Sequence, residues 1–244
     1  MTSALDPRLF GPGPARDPRF DVKEVWSEMT NFEPGHDEMT REFLHRQMNE
    51  EINGMEISAQ NLADFRNAPW GLRMAMARQC WDEARHIEAF RACVERRGGH
   101  VGQYPVLNFQ YRLITRITSL IGRLAVQNRS FEAAGIDAIQ KEVSDASRRE
   151  GKNDLDELFD AQLADEVQHV RYANVWIKKL MEQGGATAVF ELTRAVSAAN
   201  DALKIIAGEA ATMFPVAEDV RREAGFTEEE IDAAKRLVAQ LSAI

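Results

Sequence analysis

At 244 residues the chain is long enough for one large domain with a full core, or for a bundle with appendages. Hydrophobic residues make up 44% and charged residues 28%, a globular composition rather than a disordered one. The net charge of −9 excludes the basic footprint that nucleic acid requires and suits the gathering of cations.

Five of the eight prolines fall in the first 34 residues: Pro7, Pro12, Pro14, Pro18 and Pro34. Residues 1–37 are therefore expected to form an irregular arm, laid over the surface or partly disordered. No apolar signal core follows the first methionine, and no stretch reaches the roughly 18 apolar residues of a membrane span. A cytoplasmic protein without a membrane partner is the expectation.

Four long helical patterns then occupy residues 38–183. The first runs from Glu38 to Phe65. The second runs from Pro69, a residue suited to a first helical turn, to Arg97, before Gly98-Gly99. Cys80 and Cys93 lie thirteen apart on this second helix, roughly 20 Å of rise and too far for a disulfide. A linker from His100 to Asn108 can extend over about 30–35 Å, enough for a crossover along a bundle. The third helix spans Phe109 to Ser147. The fourth runs from an Asn153 cap to Glu182 and stops at Gly184-Gly185.

Residues 184–244 are read as a helical extension packing on the bundle or on a partner subunit. A fifth helix over 187–210 presents Val189, Val196, Leu203 and Ile206. A last helix opens at Thr227, where Thr227-x-x-Glu230 is a capping box and Phe226 with Ile231 a hydrophobic staple.

The pattern that decides the chemistry occurs twice. Asp82-Glu83-Ala84-Arg85-His86 and Asp165-Glu166-Val167-Gln168-His169 are both Asp-Glu-x-x-His. Residues three apart share a helix face, so each copy offers one carboxylate and one imidazole to the same point. Two such pairs, plus a Glu from each of two further helices, make the ligand set of a dinuclear carboxylate site in a four-helix bundle.

The chain supplies candidates for both further acids. In helix one, Glu56 stands in the stripe Ile52, Glu56, Ala59, Ala63, while Glu50 and Glu51 point away and are expected to be solvated. In helix three, Glu132 shares a face with Ile121, Ala125, Asn128, Gly135 and Ile139. Glu56 lies thirteen residues before Pro69 and Glu83 fourteen after it, so both sit at one height in an antiparallel pair. The expected ligands are Glu56, Glu83, His86, Glu132, Glu166 and His169. Four carboxylates and two imidazoles suit iron or manganese better than a structural zinc. Asp82 and Asp165 are expected to accept the second N–H of a ligand His on a neighbouring helix. His36, His45 and His100 are read as ordinary histidines, Met48, Met55, Met74 and Met76 as core, and Trp81 and Tyr172 as aromatic packing.

This order of ligands resembles the ferritin-like di-iron carboxylate superfamily. Within it the chain is similar to an uncharacterised bacterial ferritin-like family of unknown function. The matching segments are Glu51 to Ile57, Ala68-Pro69-Trp70, Asp82 to His86, Glu132 to Asp137, Asp165 to Trp176 and Ala224-Gly225-Phe226. Glu50 stands where that pattern has a His, and Ala134 where it has an Arg; neither is a ligand.

The resemblance implies an all-α, ferritin-like four-helix bundle holding two iron ions, or Mn/Fe. It implies an O2-dependent oxidoreductase that hydroxylates, N-oxygenates or desaturates a small organic substrate. Electrons would come from a separate reductase or from the substrate, since no nucleotide or flavin fingerprint is present, and a homodimer is expected. A ferroxidase would use the same ligands, and a non-catalytic helical module with buried ion pairs is the remaining alternative.

Overall fold

The computed structural model describes residues 5–33, 36–146, 154–207 and 214–241. The chain is predominantly helical. Its elements are β1 (Val22–Lys23), α1 (Met39–Asp64), α2 (Trp70–Arg96), β2 (Val106–Leu107), α3 (Phe109–Arg116), α4 (Leu120–Val126), a π-helical stretch (Gln127–Glu132), α5 (Ala133–Ala146), α6 (Asp156–Ala207), α7 (Glu218–Glu223) and α8 (Glu228–Leu241). No helix among the described residues is long and apolar enough to cross a membrane. The chain divides into two compact units, Met1–Leu120 with Ala195–Ala210, and Ile121–Arg194 with Ala211–Ile244.

In the first unit α1 and α2 match the expected helices to within a residue and pack against each other. Pro69, with extended backbone, precedes the first residue of α2. The buried surface of α1 is unexpectedly polar. His45, Asn49, Asn53 and Asn61 are buried among Leu44, Met48 and Ile57. Two of the asparagines bind backbone, since both Asn49 Nδ2 (2.7 Å) and Asn53 Nδ2 (3.2 Å) donate to the Leu107 carbonyl.

The proline-rich arm is seated rather than loose. Leu5, Phe10 and Met29 are buried. Gly11 N–H donates to Arg112 O at 2.8 Å, and Arg112 Nε returns a bond to Gly11 O at 2.7 Å. β1 pairs in parallel with β2, Val22 opposite Val106 and Lys23 opposite Leu107. Beside this pairing, Gly102 (φ +83°) faces the Arg19 backbone so closely that a Cβ would lie 2.2 Å from the Arg19 carbonyl oxygen.

The single third helix expected over 109–147 is instead three helices and a π-helical stretch. α3 stops at Arg116, and Ile117 is extended. Neither Gly nor Pro marks this break. Thr115 Oγ1 bonds back to the Tyr111 carbonyl at 2.7 Å, within a run of β-branched residues that favour the helix weakly.

In the second unit, α5, α6 and the C-terminal segment share a core of Ala133, Ile136, Val167, Val170, Ala224, Phe226 and Ile231. The capping box is formed: Thr227 N–H donates to Glu230 Oε2 (2.9 Å), and Glu230 N–H to Thr227 Oγ1 (3.3 Å). Asp137 accepts from Ala217 N–H (2.9 Å) and from Arg221 Nη2 (2.6 Å), fastening α7 to α5.

Helix runs on both sides of Gly185, which alone is non-helical (φ 55°, ψ −139°), so the expected fourth and fifth helices meet there. Beyond it the buried positions are Ala188, Ala195, Ala199, Ala202 and Ile206, not the expected Val189, which is exposed. Alanine permits closer approach than valine, and an alanine stripe carries little hydrophobic signal.

Candidate metal centre

Each Asp-Glu-x-x-His motif is helical, and in each the Glu and His are buried together. In the first unit Glu83 and His86 lie on the inner face of α2. His86 Nδ1 stands 3.2 Å from Glu83 Oε2 and 3.0 Å from Glu51 Oε2. Gln79, one turn before Glu83, donates from Nε2 to Glu83 Oε1 at 2.9 Å and fixes the rotamer. Gly54 explains how α1 comes so near. A Cβ there would lie 3.1 Å from Glu83 Oε1 and 3.2 Å from its Cδ, so the carboxylate occupies the space a larger residue would fill.

In the second unit His169 Nδ1 lies 3.1 Å from Glu166 Oε2. Glu132 offers a carboxylate oxygen within 4.8 Å of ligand atoms of Glu166 and His169. Glu132 ends the π-helical stretch, where residues five apart stack instead of four. Two contacts show that spacing: Gln127 Nε2 donates to Glu132 Oε1, and Ser130 Oγ donates to the Ala125 carbonyl at 3.1 Å. Asn128 Nδ2 reaches the His169 carbonyl (3.3 Å) and Tyr172 Oη (3.4 Å), tying this stretch to α6. A Cβ at Gly135 would meet nothing within 4 Å, so there is open space beside that residue.

These buried Glu and His groups could hold a metal ion. The donors fit a hard or borderline divalent cation. Each triad brings together one imidazole nitrogen and two carboxylate oxygens, and the atoms that converge are the ones able to ligate. A cation would also offset the repulsion between two carboxylates held out of water.

One expected ligand is placed elsewhere. Glu56 does not join His86; its Oε2 lies 3.1 Å from Arg16 Nη2, and the side chain is 23% exposed. Burial pushes its carboxyl up, against the pull of Arg16. Glu51 takes the inner position instead. The two acids lie five residues apart, about 140° around the helix, so they cannot share a face. Depth could not tell them apart: Glu51 is eighteen residues before Pro69 and His86 seventeen after, as good a match as Glu56 with Glu83. The available signal was the small residues Gly54 and Ser58, which with Leu44 mark the buried face that Glu51 shares.

The expectation that Glu50 and Glu51 are solvated is likewise overturned. Glu51 is buried. Burial pushes Glu50 up to about 7, with Arg46 and Arg16 pulling the other way. Asp82 is buried and accepts from Arg78 Nε (2.8 Å) and Arg85 Nη2 (2.5 Å) of its own helix. Asp165 is half-buried.

The family model for a protein of unknown function, DUF455, matches residues 6–232. The chain belongs to this family. No curated protein matches it.

Among the remaining residues of this DUF455 chain, His45 is wholly buried, and its Nε2 accepts the Gly102 N–H at 2.9 Å. The neutral ring therefore carries its proton on Nδ1, which has no partner among the described residues. Burial, helped by His100, lowers its pKa to about 4. His36 stacks on Phe32 and accepts the Glu38 N–H. Met48 and Met76 are core, but Met74 and Trp81 are exposed, the latter at 62%, against the expectation that both pack inward. Both cysteines are free thiols.

Proposed function

We propose that the two triads form one dinuclear centre, ligated by Glu51, Glu83, His86, Glu132, Glu166 and His169. We infer that the chain is an O2-dependent di-iron oxidoreductase acting on a small organic substrate. One observation carries the reading: the same motif, twice, is buried with its His Nδ1 against carboxylate oxygens, and each copy is joined by a Glu from a different helix. Four carboxylates and two imidazoles are the complement of the ferritin-like carboxylate proteins that the sequence resembles.

Two ferrous ions held this way would supply two of the electrons that reduce O2 and the substrate the other two in hydroxylation, N-oxygenation or desaturation, with an external donor returning the iron to the ferrous state. The protein's part is positioning. Gln79 holds Glu83 and Gln127 holds Glu132, so each carboxylate keeps its rotamer before metal arrives. Gly54 lets α1 approach Glu83. Burial of Glu83, His86, Glu166 and His169 excludes bulk water from the reacting ions.

The test is anaerobic loading with Fe2+, desalting and metal analysis, followed by O2 addition. About two ions per chain and iron-dependent O2 uptake are expected. Failure to retain metal, with a melting temperature unmoved by Fe2+, would sink the reading.

A further inference from the structure

Outside the triad, the first unit has an open cleft of about 680 Å3 lined by the arm, α1 and α2. Binding sites for small molecules fall in the range of about 300–1,000 Å3 and pair an apolar lining with a few polar groups. This cleft has that composition. Phe20, Ile52, Met55 and Trp81 contribute apolar surface, while Arg16 and Glu56 supply the polar end.

Arg16 is the informative residue. Its side chain is 7% exposed. Nη2 is shared among Asn53 Oδ1 (3.2 Å), Asn108 Oδ1 (3.3 Å) and Glu56 Oε2 (3.1 Å). Nε and Nη1 are buried and have no partner among the described residues. Two orphaned donors on a fixed cation are costly to bury. The other cations of the lining are already engaged: Arg19 with Asp17, Arg85 with Asp82 and Arg91 with Glu88. Trp81 meanwhile presents an exposed indole at the same cleft.

We propose that this cleft binds a small amphipathic carboxylate, its acid group on the Arg16 guanidinium and its apolar body against Ile52, Met55 and Trp81. A carboxylate only accepts hydrogen bonds, which is what unpartnered N–H groups need, and its charge complements the cation. Glu56 already occupies part of the guanidinium, so the affinity is modest and the apolar body contributes much of it. The site stands independently of the metal reading. Its lining residues Ala84, Arg85 and Ile87 alternate with the ligands Glu83 and His86 along α2, but Arg16 belongs to the arm.

The test titrates octanoate into the full chain, read by calorimetry and by Trp81 fluorescence, with and without chelator. Saturable binding is expected, at least about tenfold tighter than that of octanol or octanamide and unchanged by chelation. Arg16→Gln should weaken it at least about tenfold. Should that variant fail to fold, Met55→Trp, which fills the apolar end, should lose binding at an unaltered melting temperature. The proposal is overturned by no saturable binding, by octanamide binding as tightly, or by binding that folded Arg16→Gln or Met55→Trp leaves intact. Loss of binding on chelation would also overturn it, because the carboxylate would then sit on the metals.

Discussion

In the first unit Glu51 reaches His86 from an unbroken 26-residue helix, whereas in the second Glu132 stands at the end of a six-residue π-helical stretch between two short helices. The same motif, Asp-Glu-x-x-His, is thus supplied with its extra carboxylate by two different devices. On α1 the device is a missing side chain, Gly54, which lets a regular helix come close to Glu83. Before α5 the device is a change of helical pitch, which redirects one carboxylate without moving the helix around it. A ligand site can therefore be tuned either by how near a helix lies or by how tightly it is wound.

The largest effect should come from separating the two faces of α1. Glu51→Ala is expected to reduce metal content from about two ions per chain to one or none. It should also erase the metal-dependent stabilisation, about 2.7 kcal/mol with metal at 100 times its dissociation constant, and with it the rise in melting temperature. Glu56→Ala should retain both ions. Metal analysis of the two variants decides, and the opposite pattern would return the ligand to the outer face.

Next in size is the change of pitch. Deleting Ser130 should restore ordinary helix and swing Glu132 by about 100°. Loss of one of the two ions with an unchanged helical dichroism spectrum is expected. Full metal retention would show that the π-helical stretch does not position Glu132.

Gly54→Ala probes the closeness of α1. Alanine gains about 1 kcal/mol of helix propensity, yet its Cβ would press on Glu83 at 3.1 Å. Metal affinity should fall by about 10–100-fold, the usual cost of disturbing the support of a ligand, while apo stability changes by no more than about 1 kcal/mol. Competition titration with a chelating dye measures this, and unaltered affinity would show that Glu83 has room to yield.

The smallest effect concerns His45, which shares the polar face of α1. Its folded-state pKa of about 4 lies below the ordinary 6.5, so the fold favours the neutral ring. As pH falls from 6.5 towards 4 the unfolded chain takes up a proton that the folded one refuses, and stability is lost across that window. It is retained in full above 6.5. The loss should be on the order of 1–3 kcal/mol, and His45→Gln should flatten it in urea melts between pH 4 and 7.

Legibility in the sequence followed the kind of signal each residue carries. Glu83, His86, Glu166 and His169 were readable because the three-residue spacing within each motif is independent of which face is buried. Glu132 was readable as a lone acid in an apolar stripe, although nothing in Gln127 to Glu132 announces a π-helix. Glu51 was not, because the rule that buried faces are apolar fails on α1. The face that meets Glu83 carries Leu44, Glu51, Gly54 and Ser58, while Ile52, Ala59 and Ala63, half-buried or exposed, imitate a core stripe on another side. α1, α2 and the Thr227 cap were legible through Pro69, Gly98 and the Thr-x-x-Glu pattern. The break at Ile117 was not, since β-branched residues only weaken a helix. The seat of the arm depends on contacts far apart in sequence, such as Gly11 with Arg112, which no local pattern encodes.

Gly102 gives that seat a genetic consequence. Its missing side chain is what admits the Arg19 carbonyl, and its positive φ suits glycine alone. A saturation library at codon 102 should therefore keep only glycine, although the residue bears no reactive group and belongs to neither triad. Lesions there would evict the arm that carries Arg16 and β1. A screen scored by function would then rank codon 102 beside those of the ligands, and only a folding assay would reveal the different reason.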